Sequence, residues 1–344
     1  MAYVEKDEVR VSADEASQEL SNQTTRSTPL ISSLLRIWWE QAGMLVVFFA
    51  VFVGCALFVE NFFSRVNMIS LMLAISTLGM VACTMLFCLA SGDFDLSIGS
   101  VVAFSGVLAA VVINRTGNVA LGITCAIAAA GAVGLFNGIV IAKFGINALI
   151  ATLATMQIAR GLAFIISGGR AVGVSQESFF LLGNSSLWGI PTPVWITLAC
   201  FVLFGFLLRQ TTFGRNTLAI GGNREAAHLA GIAVDRTKII IFTTQGLMAG
   251  LAGIVLASRM TSGQPNVSEG FELQVISACV LGGISLTGGV GNIGCVIAGV
   301  LIMGTVQNAM NLMSVPTFYQ RIVTGVILLS AVLFDRLRQH QSRA

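Results

Sequence analysis

Residues 119–142 read VALGITCAIAAAGAVGLFNGIVIA. The run carries no charge and is apolar on every face, and at 1.5 Å per residue it is long enough to cross a hydrocarbon core of roughly 30 Å. A strand of a transmembrane barrel would alternate apolar and polar residues over segments of about ten. A helix on a soluble core would keep a polar face. Neither pattern is present, so the stretch is a membrane helix. Nine further apolar runs surround it, at 43–59, 68–90, 97–113, 147–166, 193–209, 239–258, 272–287, 293–313 and 319–334. The chain of 344 residues is 55% hydrophobic and 10% charged, with mean hydropathy +0.86, whereas soluble domains carry about 25% charge. The expected fold is an all-α polytopic membrane protein of about ten transmembrane helices.

The placement of charge orients these helices. Of 19 basic residues, thirteen fall on the side shared with the N-terminus, five on the other, and Arg160 lies within a span. That asymmetry obeys the positive-inside tendency and puts both termini in the cytoplasm. Residues 1–40, rich in acids, are expected as a disordered cytoplasmic tail, residues 41–336 as the transmembrane domain and residues 337–344 as a second tail. Two connections are long: an external loop at 167–192, with a short amphipathic helix expected at Gln176–Leu182, and an internal loop at 210–238. Long loops in a compact bundle usually have a task.

A short motif recurs. Ser91-Gly92-Asp93-Phe94-Asp95-Leu96 reappears as Ser268-Glu269-Gly270-Phe271-Glu272-Leu273, each before a helix and on opposite sides of the membrane. Opposed copies are what inverted-topology repeats produce, here relating helices 2–5 to helices 7–10. A carboxylate at a helix start accepts from free N–H groups and meets the positive end of the dipole, so Asp93, Asp95 and Glu272 read as N-caps or as linings of a hydrophilic pathway. Arg160, in TLATMQIARGLAF, reads as a pathway or gate residue or as an anchor to a carboxylate or carbonyl. Asn137 and Asn147 place amides where they could hydrogen-bond between helices or line the same path.

Other chemistry is excluded. Seven cysteines show no CxxC pair, and the two histidines, His228 and His340, sit in loop and tail, so neither a metal site nor an enzyme site is expected. Gly289-Val290-Gly291-Asn292-Ile293-Gly294 formally matches GxGxxG but joins two membrane helices, so it reads as an inner turn. No GxxxxGK[ST] occurs; if ATP drives this protein, another chain hydrolyses it.

The internal loop contains Glu225-Ala226-Ala227 and, after three intervening residues, Gly231. This EAAxxxG resembles the permease signature of bacterial ATP-binding-cassette importers. Around it stand GDFDLSIGS at Gly92, NALIATLATMQIARG at Asn147, GIPTPVW at Gly189, TTFGRNTLAIGGNREAA at Thr211 and VLGGISLTGGVGNI at Val280. These are similar to the monosaccharide branch of that family, which carries ribose, xylose, galactose and arabinose. ASRMTSGQP at Ala257 and NAMNLM at Asn308 are nearest to its L-arabinose members. Ile241 is followed by Phe242-Thr243-Thr244, where many importers have leucine and proline.

The resemblance implies a permease subunit without an ATPase site, for import across the inner membrane by alternating access. Its implied partners are a second copy of the chain, an ATPase with two nucleotide-binding domains that holds ATP and Mg, a periplasmic sugar-binding protein and the bilayer, with no nucleic acid and no cofactor on this chain. Gly214, Arg215, Asn223, Arg224, Glu225, Ala226, Ala227 and Gly231 become the ATPase-coupling loop, in which Asn223 caps a short helix, the two alanines allow close contact and Gly231 ends it. Asp93, Asp95, Asn137, Asn147, Arg160 and Glu272 become the translocation path, and Arg170 and Glu177 the docking surface for the binding protein. An ion-coupled secondary transporter is the alternative, one that usually requires buried titratable residues.

Overall fold

A computed structural model describes residues 30–341, with side chains for residues 43–336. Thirteen helices are present among them: α1 (Leu30–Phe58), α2 (Arg65–Ala90), α3 (Ile98–Thr116), α4 (Val119–Lys143), α5 (Ala148–Ser167), α6 (Glu177–Asn184), α7 (Thr192–Gln210), α8 (Thr212–Gly222), α9 (Arg224–Leu229), α10 (Val234–Arg259), α11 (Phe271–Leu281), α12 (Ile293–Leu312) and α13 (Thr317–Gln341). Eight of them, α2–α5, α7, α10, α12 and α13, are long and apolar enough to cross a membrane. The chain separates into two units, Met1–Leu45 and Val46–Ala344. Residues 1–29 of the expected N-terminal tail lie outside the described residues, and the chain is helical from Leu30. At the other end α13 continues through Gln341, into the stretch expected as a tail.

One expected span is corrected. The run 272–287 forms only the eleven-residue α11, because Gly282 and Gly283 follow, the latter at φ +96° where a side chain is strained. At 1.5 Å per residue α11 is a half-span. Elsewhere the ends follow local chemistry. Asn118, Asn147 and Asn292 cap α4, α5 and α12 by accepting from Leu121, Leu149 and Gly294 at 3.0, 2.9 and 2.9 Å. Gly117 and Gly168 end α3 and α5 in the left-handed region, at φ 69° and 62°.

The spans of the second unit sort by burial. In α2 and α3, 72% of the apolar stretch is buried, against 28% in α4, α5 and α7 and 6% in α13. The first pair therefore forms the core with α10 and α12, while α13 turns Phe318, Ile322 and Leu329 outward. The α4–α10 crossing is close because glycines meet: a Cβ on Gly134 would stand 3.0 Å from the Gly246 Cα, and one on Gly138 would stand 2.8 Å from the Ile239 Cα. Across α2 and α12, Asn67 and Asn308 exchange amide bonds of 3.0 and 2.9 Å, satisfying both buried side chains.

Packing partners follow the exchange expected of the internal repeat. Replacing α2–α5 by α10–α13 turns α2·α12 into α10·α4, α3·α4 into α11·α12, α3·α5 into α11·α13 and α10·α3 into α2·α11, and all eight pairs are in contact. The loop 167–192 is also organised. Its helix α6 is tied to the end of α10, where the Ser258 hydroxyl donates to the Phe179 carbonyl at 2.6 Å and accepts from the Gly183 amide at 2.8 Å. Strand β1 (Val172–Gly173) pairs antiparallel with β4 (Ser262–Gly263), a link of high sequence separation that no local pattern announces.

Candidate functional site

The loop at 210–238 folds into a compact module. Thr211 and Asn223 cap α8 and α9, Asn223 accepting from the Ala226 amide at 2.9 Å, and Gly231 at φ +82° turns the chain into α10. Ile220, Ala227 and Val234 are buried together, one from each helix, with Ile232 against them. The alanine pair of the signature is thereby divided: Ala226 is exposed, whereas Ala227 faces its own small core, which corrects the expectation that both make outside contact. Gly214, named for the same loop, is buried, and a Cβ there would stand 2.5 Å from the Leu208 Cα. Arg215, Asn223, Arg224, Glu225 and Gly231 are exposed. So is Leu229, at 81%, a bare apolar side chain on the same short helix that sequence reasoning passed over. Beside it a groove of about 350 Å³ is lined by Lys143, His228 and residues 231–236.

The module rests on the core through glycine. Gly221 abuts the Ala90 carbonyl, and the Gly289 amide donates to that same carbonyl at 2.9 Å. A Cβ on Gly288 would stand 2.9 Å from both the Gly221 Cα and the Gly92 nitrogen. Three segments thus cross backbone to backbone: the end of α8, the 91–97 connection and the glycine turn before α12.

From this crossing a line of polar groups runs along the start of α3. Asp93 accepts an ion pair from Lys238 at 2.7 Å, with side-chain exposures of 11% and 6%. It is therefore not the cap that the motif allowed. Asp95 instead braces Ser97, the N-cap residue of α3: its Oδ1 accepts from the Ser97 amide at 2.9 Å and the Ser97 hydroxyl at 2.6 Å. Ser97 in turn accepts from the Asn137 amide at 3.2 Å. Burial raises the Asp95 carboxyl to about 6, against the two bonds from Ser97, which pull it down.

Further along, the two copies of the repeated motif meet. A Cβ on Gly99 would collide with the Glu272 carboxylate and stand 2.6 Å from the Ser268 carbonyl. Arg160 closes this end, donating from Nε to Ser100 at 3.2 Å and from Nη1 to the Pro265 and Val267 carbonyls, each at 2.7 Å. Of its two readings, the carbonyl anchor is the one its geometry matches. Asn147 stands apart, exposed and engaged as the cap of α5. Arg170 and Glu177 are exposed in the 167–192 loop, Glu177 on the first turn of α6. Ser97, Ser100 and Lys238 were not singled out from the sequence. For Lys238 a signal existed: it is one of three lysines and directly precedes the run IIIF.

The Asp95 geometry carries a prediction. Asp95→Asn keeps an acceptor for Ser97 and removes only the charge. The native pKa lies above the ordinary 3.8, so ionising this group costs stability as pH rises through about 4 to 6. The variant should therefore match wild type in thermal midpoint below pH 4 and exceed it above pH 6, where its stability is greater by on the order of 1–3 kcal/mol. A wild-type midpoint equal to the variant's across that range would contradict the assignment.

Comparison with known proteins places these features in context. Residues 67–332 match the family described as branched-chain amino acid transport system / permease component. The chain is 62% identical over 305 residues to the L-arabinose transport system permease protein AraH of Escherichia coli (strain K12), covering 89% of this chain and 93% of that one. It is 55% identical over 305 residues to the L-arabinose ABC transporter permease protein AraH of Azospirillum brasilense, covering 89% and 90%. With the ribose import permease protein RbsC of Bacillus subtilis (strain 168) identity is 38% over 299 residues, covering 86% and 93%.

Proposed function

The chain belongs to the branched-chain amino acid transport system / permease component family, and from that premise we propose that it is the membrane permease subunit of an ABC importer for L-arabinose. It is a multi-pass protein of the inner membrane, with eight apolar spans among the described residues. The observation that carries the sugar assignment is the 62% identity to an L-arabinose permease across 89% of the chain, against 38% to a ribose permease. The ion-coupled alternative is set aside by the family, and the charge of Asp93, one of the carboxylates it would have used, is already paired with Lys238.

In this reading a partner ATPase, holding ATP and Mg, grips α9 through Arg224, Glu225, Ala226 and Leu229, with Arg215 at the rim. Its closure on ATP shifts the module formed by α8, α9 and the start of α10. The helices then exchange between outward and inward openings, driven by the difference in contact energy between the two states. Asp95, Ser97, Asn137, Arg160 and Glu272 border the route, where hydroxyl, amide and carboxylate groups suit an uncharged sugar rich in hydroxyls. Arg170 and Glu177 receive the sugar-binding protein from outside, and two copies of the chain make the channel.

The test is uptake of labelled L-arabinose in bacteria that lack only their own arabinose permease and keep its ATPase and binding protein. Expression of this chain is expected to restore uptake, with little competition from ribose or xylose, and an ATPase-dead partner should abolish it. Uptake indifferent to the ATPase would overturn the importer, and equal competition by ribose would overturn the sugar.

A further inference from the structure

Among the described residues Lys143–Asp235 at 3.5 Å and Arg321–Glu269 at 3.4 Å are solvent-exposed ion pairs, whereas Lys238–Asp93 at 2.7 Å is buried. A buried pair is weak evidence for stability, because desolvating two charges offsets much of their attraction. Its position is more informative. Lys238 lies one helical turn beyond Val234, the residue of α10 that packs with Ala227 of α9 and Ile220 of α8. The Ile232 amide also donates to the Ala227 carbonyl at 3.0 Å, so α9 and the first turn of α10 move as one piece. Asp93 belongs to the opposite body. Two residues on, Asp95 holds Ser97, and the next turn of α3 lies against Glu272.

Two kinds of contact therefore join the coupling module to the start of α3. At Gly221, Gly92 and Gly288 the backbones touch, and such contact resists compression but offers little resistance to separation. The ion pair behaves oppositely, because parting the charges in a low-dielectric site leaves each of them buried and alone. We propose that the Asp93–Lys238 pair is the tie that lets α9 pull the start of α3 as well as push it, so that both strokes of the ATPase reach the translocation path. This inference rests on the permease reading, and both residues are positioning residues that act through α3.

The experiment uses the whole complex, this chain with its ATPase and binding protein in proteoliposomes, and measures ATP hydrolysis and labelled L-arabinose entry together. The D93L/K238M variant removes the tie without leaving a lone buried charge. It is expected to hydrolyse ATP within twofold of wild type while sugar moved per ATP falls at least tenfold, and the D93K/K238D swap is expected to regain at least a third of that ratio. A merely structural role would lower hydrolysis and transport together. An unchanged ratio in D93L/K238M, or hydrolysis and transport falling in proportion, overturns the proposal. Should D93L/K238M not accumulate, the swap is read against K238D alone: a ratio restored by the swap supports the tie, and equal ratios overturn it. A wild-type complex that moves no sugar overturns the permease reading itself, an outcome distinct from an unaltered ratio in the variant.

Discussion

Membranes carrying Gly221→Val are expected to show L-arabinose uptake below a hundredth of wild type, with the protein recovered mainly as aggregate on extraction. A Cβ at Gly221 would overlap the Ala90 carbonyl and stand 2.5 Å from the Gly289 nitrogen. Both are backbone atoms, and they are joined by the 2.9 Å bond from the Gly289 amide to Ala90. No rotamer relieves such a clash, so the cost should exceed the ~1–3 kcal/mol typical of overpacking among side chains. The neighbouring position provides the control. A Cβ on Gly222 meets nothing within 4 Å, so Gly222→Ala should transport normally and, at the last residue of α8, stabilise slightly. Size-exclusion profiles and uptake on the same preparations check both, and a monodisperse, active Gly221→Val protein would disprove the backbone crossing.

Leu229→Asp should leave the permease folded and remove its partner. Leu229 is 81% exposed, so its replacement disturbs no internal packing, yet the burial of a leucine in a partner's cleft is worth about 1.5–3 kcal/mol. Losing that and forcing a carboxylate into the same cleft should weaken ATPase association by roughly thirtyfold or more. Co-purification of the ATPase with the variant, together with the midpoint of thermal unfolding, separates the two effects. Ala227→Asp should do the reverse, lowering the midpoint first, because Ala227 is buried with Ile220 and Val234. Undiminished ATPase recovery with Leu229→Asp would move the docking surface elsewhere.

Much of this was legible without coordinates because it depends on neighbours in sequence. The all-apolar runs fix membrane residence, since an uncompensated charge or polar backbone in hydrocarbon is too costly to be common. The cap at Asn223, the turn at Gly231 and the short helix near Gln176 follow from groups a few residues away in the chain. The repeat of 91–96 at 268–273 was visible as spelling, and with it the exchange of packing partners. What the spelling did not distinguish was the fate of its acids, since cap, ion pair and wall all call for a carboxylate beside a glycine.

Those fates depend on residues far away in the chain. Lys238 reaches Asp93 across 145 positions, Arg160 finds the Pro265 and Val267 carbonyls at a separation of more than a hundred, and Gly99 is pressed against Glu272 by the approach of α3 to α11. The half-length of α11, which hydropathy extended to residue 287, depends on Gly283, whose positive-φ backbone hydropathy does not register. The sequence by itself determined that the chain is a helical membrane protein and which family it belongs to, because hydrophobic burial, capping and local motifs act over a few residues. Only the tertiary structure decided which acid is tied to a lysine and which alanine faces outward, because low-dielectric charge pairing and close packing are set by the partner that the fold delivers.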